Sequence, residues 1–401
     1  MAIQKVPPDE LKYSRILEIA PEVWMVEGYI SADFFGKSPS SNVFILRDGD
    51  LVFLLDTGMY PYFKESILKV LRRCKSEGAK RLVLMDSQGH NDHAANNDVI
   101  LEAGFEDTRF LLPENEVDVI DFGNFFVNDM FEQEEYFDPY AVFPLDYPPV
   151  NMISLVNNVS RDASKALLRF LGLAMMSGVN HLADQAEILT MDSRVSRKLG
   201  DMEFLGWEVG RFFAIHDGSH SPGHITLYDP KYKILLTGDV TVEINPPFMN
   251  TSMERLIEYS EKYRRLSEQG VVEIASDSHR STLWWSRIME EVNMEPLHRL
   301  QLTDVLYGKD QCATFFQVFE NYYKDVKNEM LSSLAKLKEA TILQVVEEFK
   351  ASKKPSARFK SSMIWPWLPN RMEVAAAVIL KEAGAKRRKE GEQILFSLPG
   401  R

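Results

Sequence analysis

With 401 residues, of which 45% are hydrophobic and 26% charged, the chain can bury a sizeable core and lacks the composition of a disordered segment. Its 46 Lys and Arg against 59 Asp and Glu give a formal net charge of -13, which argues against whole-molecule attraction to nucleic acid or an anionic membrane and favours a small-molecule substrate. Cys74 and Cys312 stand far apart and outside any paired spacing, which excludes a disulfide framework and a thiolate metal site and points to a reducing compartment. The opening run MAIQKVPPDELKYSR carries two prolines and mixed charges where a signal peptide needs an apolar stretch, and no run reaches the length of a spanning helix. A cytoplasmic protein is the expectation.

In chain order, Val23 to Ile30 and Asn42 to Gly58 are β-rich, and the Asp-Gly-Asp inside the second run reads as a hairpin turn. Apolar residues at helical spacing follow between Pro61 and Glu77, and Arg81 to Met85 reads as a buried strand. A helix-length segment from Ala94 then leads to a strand at Arg109 to Pro113. From Glu114 to about Lys198 the strand pattern stops, and an aromatic stretch from Phe122 to Tyr147 and an apolar helix around Ala163 to Met176 suggest an inserted helical hood. Phe125, Phe126, Met130, Phe131, Tyr136 and Phe137 read first as core residues of its helices. Consecutive strands return from Met202 to Ile244, with another near residue 275. After about Met289 the pattern is helical: Gln311 to Lys338, Thr341 to Phe349, a Lys, Pro and Ser-rich break, then a helix from Arg371 and a basic hairpin at Lys386 to Leu398. That order is winged-helix-like. Two domains are expected, 1–289 with an insertion at about 114–200, and 290–401.

The chemistry concentrates in the run Asp86, Ser87, Gln88, Gly89, His90, Asn91, Asp92, His93, placed just after a strand. A loop at a strand's end can aim several side chains into one volume, and imidazole with carboxylate is a ligand set for zinc, iron or manganese. Three further donors arrive in order, each closing a strand or in the loop after one: His224 in Pro-Gly-His, Asp239 in Leu-Leu-Thr-Gly-Asp and His279 in Ser-Asp-Ser-His.

Together with Leu-Leu-Asp-Thr-Gly at Leu54 to Gly58, these five ordered motifs resemble the metallo-β-lactamase superfamily, most closely its glyoxalase II-like branch, over about Val23 to His279 outside the hood. The resemblance implies an αββα sandwich, an α/β (α+β) fold with a metal site at one edge. It implies His90, His224 and Asp239 around one metal, and Asp92, His93, Asp239 and His279 around the other, with Asp239 bridging and Asp56 supporting the site from behind. The expected cofactor is one or two divalent metal ions, zinc first, with iron or manganese as alternatives. One departure stands out: the family pattern is His-x-His-x-Asp-His, and Gln88 replaces the first His. An amide is the poorer ligand, so Gln88 counts as a weak ligand or pocket residue, and so does His220. His216 is ranked as supporting or exposed, His181 as a surface residue of the hood and His298 as structural.

The expected reaction is attack by metal-bound hydroxide, with Asp92 orienting the water or carrying its proton, on a thioester, lactone, ester or halide. β-Lactam hydrolysis is not expected, because the hood would crowd a wide groove. The alternative from another class is a non-haem iron oxygenase using His90, His224 and Asp239. A non-catalytic or nucleic-acid-binding protein is a third reading, hinted at by Gln88 and by Lys386 to Gly391, which the acidic whole disfavours. The resemblance implies packing or dimerisation for the C-terminal unit, so a homodimer through it is one expected assembly.

Overall fold

The computed structural model describes residues 16–28, 40–59, 61–139, 160, 162–167, 169, 181–242, 245–279, 305–352 and 371–399. Among these residues, β1 (Ile16–Ala20), β2 (Val23–Val26), β3 (Val43–Asp48), β4 (Leu51–Leu55), β5 (Arg81–Met85), β6 (Asp107–Pro113) and β7 (Glu187–Leu189) form one sheet in chain order. Its first four strands pair antiparallel, and β4 to β7 run parallel. The second sheet holds β8 (Val195–Leu199), β9 (Met202–Val209), β10 (Phe212–His216), β11 (Ile225–Asp229), β12 (Ile234–Leu236), β13 (Ile274–Ser276) and β14 (Val305–Tyr307), of which only β12 and β13 pair parallel.

Side-chain alternation sorts these strands into layers. Leu51, Phe53 and Leu55 of β4 pack between the sheets with Trp207, Phe212 and Leu227, while Val52 and Leu54 face Phe63, Ile67 and Leu71 of the helix Pro61–Ser76. In β10, Phe212 and Ala214 join the layer between the sheets, and Phe213 and Ile215 point the other way. On that far side they meet Tyr263 of the helix Met253–Glu268 and Phe316 and Tyr323 of the helix Lys309–Leu337. Helix, sheet, sheet, helix is therefore the order of layers, the expected αββα sandwich.

The outer layer of the second sheet continues into Val345 and Val346 of the helix Ile342–Lys350, Ile379 and Leu380 of the helix Arg371–Glu382, and Phe396 of the hairpin β15 (Lys386–Glu390) and β16 (Gln393–Ser397). The C-terminal segment thus shares one apolar core with the second sheet. It also reaches the hood, since Phe396 stacks on Tyr136 at 6.0 Å between ring centroids and Arg387 bonds to Glu135 at 3.2 Å. Arg388 pairs with Glu339 and Glu390, each at 2.8 Å, so two cations of the basic hairpin are already matched by acids.

The turn, helix and strand read at Asp48 to Asp50, Pro61 to Glu77 and Arg81 to Met85 are present, with Gly49 at φ 62° turning the hairpin. Two readings change. The segment from Ala94 makes no single helix but two single turns, Asn91–Ala94 and Val99–Glu102. Strands β7 and β8 lie inside the stretch read as helical. β7 has three residues and an exposed pattern, which leaves too little alternation to detect. The hood contributes the helix Phe122–Gln133, capped by Asp121, with Phe125, Met130 and Phe137 buried as read. Residues 140–159 and 170–180 of the hood, the boundary near Met289 and His298 lie outside the described residues.

Candidate metal centre

Six chain segments converge at one edge of the sandwich. Backbone hydrogen bonds hold them in register: Thr57 N to His93 O at 2.7 Å, Ser41 N to Asp92 O at 3.0 Å, Asn42 N to Ser278 O at 2.5 Å, Ile225 N to Ser87 O at 2.9 Å and Ser278 N to Gly238 O at 3.1 Å. Buried carboxylates add to this. Glu116 accepts from Gly89 N at 2.6 Å, Ser221 Oγ at 2.6 Å and Gly223 N at 2.7 Å, tying the loop after β5 to the loop between β10 and β11. That second loop is also held from the helical side. Tyr259 Oη donates to His216 O at 3.1 Å, Ser252 N to Ser219 O at 2.8 Å and Thr251 Oγ1 to His220 O at 2.8 Å.

The functional side chains gather around Asp239. His279 Nε2 lies 3.3 Å from Asp239 Oδ1 and 3.3 Å from Asp92 Oδ2. His93 Nε2 lies 3.3 Å from Asp239 Oδ2 and 3.9 Å from Asp92 Oδ2. On the other flank, His220 Nε2 stands 3.4 Å from Asp239 Oδ2 and 3.2 Å from His90 Nδ1. Asp92, His93 and His279 form a group able to hold a metal ion, their ligand atoms all within 4.8 Å of one another. Behind His93, Asp56 accepts from Ser87 N at 2.6 Å and Ser87 Oγ at 2.9 Å, and its Oδ2 faces His93 Nδ1 at 3.0 Å. Asp56 takes φ 63°, a left-handed backbone that Asp tolerates better than most residues, and this aims its carboxylate at the loop.

His224 does not join the cluster. Its Nδ1 faces both oxygens of Asp217, at 2.8 and 2.9 Å, and its Nε2 accepts from Asp239 N at 3.0 Å. Both ring nitrogens are thereby engaged, and the ring acts as a strut under the turn that presents Asp239. Gly238, at φ 54°, makes that turn possible, because a Cβ there would run into the His224 ring. The loop folds back through Ser219 N and Oγ to Asp217 Oδ1, at 3.0 and 2.6 Å, and lifts His220 into the place expected for His224. His224 Nε2 is thus taken by Asp239 N, and it is His220 whose ring stands beside His90 and the Asp239 carboxylate.

Gln88 sits inside the cluster, its Nε2 2.6 Å from His93 Nε2 and 2.7 Å from Asp239 Oδ2. Its Oε1 is buried with no hydrogen-bond partner among the described residues. His216 lies outside, with Nε2 on Pro222 O at 2.9 Å and Nδ1 facing Arg194 at 2.9 Å. His181 holds Ala183 N at 3.3 Å in the hood.

Electrostatics sharpen the picture. Burial opposes charge throughout, yet Asp239, Asp56 and Asp92 hold the His93 imidazole well above its ordinary range, and Asp239 and Asp92 push His279 up to about 10. Asp239 is held well below the usual carboxylate range despite its burial, by His279 and His93 first. Burial keeps His90 and His220 neutral, His220 at about 4. Two carboxylates thus demand positive charge between them, which two imidazolium protons or one divalent cation supplies. The spacing favours the cation. Charge-assisted N–H···O bonds run to ~2.7–2.9 Å. Donors each about 2.0–2.1 Å from one tetrahedral centre stand about 3.3 Å apart, close to the separations of Asp239 from His93, His279 and His220 and of Asp92 from His279.

No family sequence model and no curated protein sequence matches the chain. Solved structures do. A metallo-beta-lactamase family protein from Thermus thermophilus aligns over 95% of this chain and 100% of its own, with TM-score 0.53 and 12% identity. A beta-lactamase domain protein from Burkholderia ambifaria aligns over 96% and 94%, with TM-score 0.54 and 12% identity. The chain has the metallo-β-lactamase fold. The stereoselective inverting sec-alkylsulfatase Pisa1 from Pseudomonas sp. shares that fold over 92% of this chain and 50% of its own, with TM-score 0.51 and 12% identity.

Within this fold the sequence reading misses Asp217, Glu116, Asn245 and Tyr323. The only signal for Asp217 is that it is the one carboxylate in a loop that also holds two histidines. Glu116 and Tyr323 carry none, because strand and helix packing alone brings them near.

Proposed function

We propose that the chain is a metal-dependent hydrolase acting on a small acyl or activated substrate. The observation that supports this is the set of imidazoles gathered around Asp239 at 3.3 to 3.4 Å, separations that suit donors sharing one cation. Asp92, His93, Asp239 and His279 would hold a zinc ion, and His90, His220 and Asp239 a second position that Gln88 weakens. A divalent ion bound there would supply an acidified water and polarisation of a carbonyl. Asp92 has a side chain 18% exposed, against 0% for His93 and 5% for His279 and Asp239, so it faces the accessible side. That exposure supports a role for Asp92 in orienting a water and taking its proton. Phe125 and Phe248 pack on His90 at 5.4 and 4.8 Å between centroids, which gives the site an apolar wall. No helix among the described residues is long and apolar enough to cross a membrane.

Elemental analysis of purified protein, beside an anaerobic screen of thioesters, lactones, esters and haloaromatics, tests the reading. Stoichiometric zinc with turnover is expected. In Asp239→Ala, metal and turnover should vanish together while the circular dichroism spectrum is kept. Full activity in metal-free Asp239→Ala protein would refute the proposal, and stoichiometric iron with oxygen uptake would replace it by an oxygenase.

A further inference from the structure

The C-terminal helix reaches the centre through two buried side chains. Tyr323 of the helix Lys309–Leu337 is fully buried, and its Oη contacts Val240 O at 2.7 Å and Val242 O at 2.9 Å. The same oxygen accepts from Asn245 Nδ2 at 3.1 Å, and Nδ2 also donates to Asp239 O at 2.7 Å. Asn245 Oδ1 then stands 2.6 Å from His220 Nδ1.

The direction of these bonds is fixed by chemistry. Asp239 O is a backbone carbonyl and only accepts, so the amide nitrogen of Asn245 must face it. The amide oxygen therefore faces His220, whose Nδ1 must carry the proton. His220 Nε2 keeps its lone pair and points it at Asp239 Oδ2 across 3.4 Å. Asp239 Oδ2 has no proton to offer across that contact, while His90 Nδ1, 3.2 Å from the same nitrogen, is a donor the fold can supply; a cation bound there would take the lone pair instead.

We propose that Asn245 and Tyr323 are positioning residues of the centre, with the helix Lys309–Leu337 fixing the tautomer and orientation of His220 through the relay Tyr323, Asn245, His220. This rests on the metal reading above. It gives the C-terminal segment a place in the catalytic machinery rather than in nucleic-acid binding or packing alone. Outer partners that fix a ligand histidine are worth about 10- to 100-fold in metal affinity.

Two measurements on the full-length chain test it. In metal-free protein, nitrogen chemical shifts of the His220 ring should report a proton on Nδ1. Asn245→Ala should lose that signature and Tyr323→Phe should weaken it, while Asn245→Asp, which gives up the donor to Asp239 O but keeps an acceptor facing Nδ1, should still hold the proton on Nδ1. In cobalt(II) titrations followed by visible absorption, Asn245→Ala should bind about 10- to 100-fold more weakly than the parent. A proton on Nε2 in the parent, or an unchanged tautomer and cobalt affinity in Asn245→Ala, would overturn the relay. Failure of the parent to bind cobalt would instead strike the metal reading, and the ring signals would still decide the relay. Melting curves of the metal-free variants separate a merely structural role, which would lower stability without moving either readout.

Discussion

His220 points its Nε2 at Asp239 Oδ2 from 3.4 Å, a place the Pro-Gly-His pattern would have given to His224. The two histidines therefore have separable duties. His220→Ala should strip metal while leaving the fold, because its ring nitrogens face Asn245 and the cluster. His224→Ala should do the reverse. It leaves the fully buried Asp217 carboxylate without its imidazole, a change that costs on the order of 3–5 kcal/mol when a buried pair is broken. Chemical denaturation beside metal analysis checks both, and metal loss without destabilisation in His224→Ala would reverse the assignment.

The pattern of success and failure in the sequence follows from local geometry. Asp239 and His279 were legible because each follows a buried strand within three residues, where chain direction alone sends a donor to the sheet edge. His93 and Asp92 were legible through their spacing after β5. His220 was not separable from His224, because only the long-range bonds from Thr251 and Asn245, and the claim of Asp217 on His224, decide which ring turns inward. The sandwich was legible in its buried strands, whereas β7 and β8 escaped because they are short or exposed.

Gln88 allows a gain-of-function test. Its carboxamide stands 2.6 Å from His93 Nε2 and 2.7 Å from Asp239 Oδ2, so a stronger donor at this position would border both metal positions. Gln88→His should raise the metal content toward two per chain, since imidazole binds these divalent ions better than an amide does. Mass spectrometry under native conditions reads the ratio directly. A ratio unchanged from the parent would show that position 88 lies outside coordination.

Asp56→Asn probes the support behind His93. Asn tolerates the left-handed backbone at φ 63°, so the loop should survive. If the new amide keeps its oxygen on Ser87 N, it turns its NH2 toward His93 Nδ1, forcing that nitrogen to accept and moving the ring proton to Nε2, the atom that faces Asp239. Metal affinity should drop about 10- to 100-fold with little change in melting temperature. Isothermal titration with zinc under a competing chelator measures it, and parent-like affinity would show that Asp56 does not set the tautomer.

His216 provides the pH test, away from the metal donors. Burial holds its pKa below the ordinary 6.5, and both ring nitrogens are committed, Nε2 to Pro222 O at 2.9 Å and Nδ1 to Arg194 at 2.9 Å. The unfolded chain therefore takes up a proton near pH 6.5 that the folded chain refuses. Linkage gives the sign: the contribution of His216 is complete above the unfolded pKa and is lost as pH falls below it, at ~1.4 kcal/mol for every tenfold difference in proton affinity between the folded and unfolded chain. His216→Gln keeps a donor for Pro222 O and an acceptor for Arg194 but cannot titrate. Its unfolding free energy between pH 7 and pH 5 should accordingly fall less steeply than the parent's, and two parallel profiles would show that His216 titrates alike in both states.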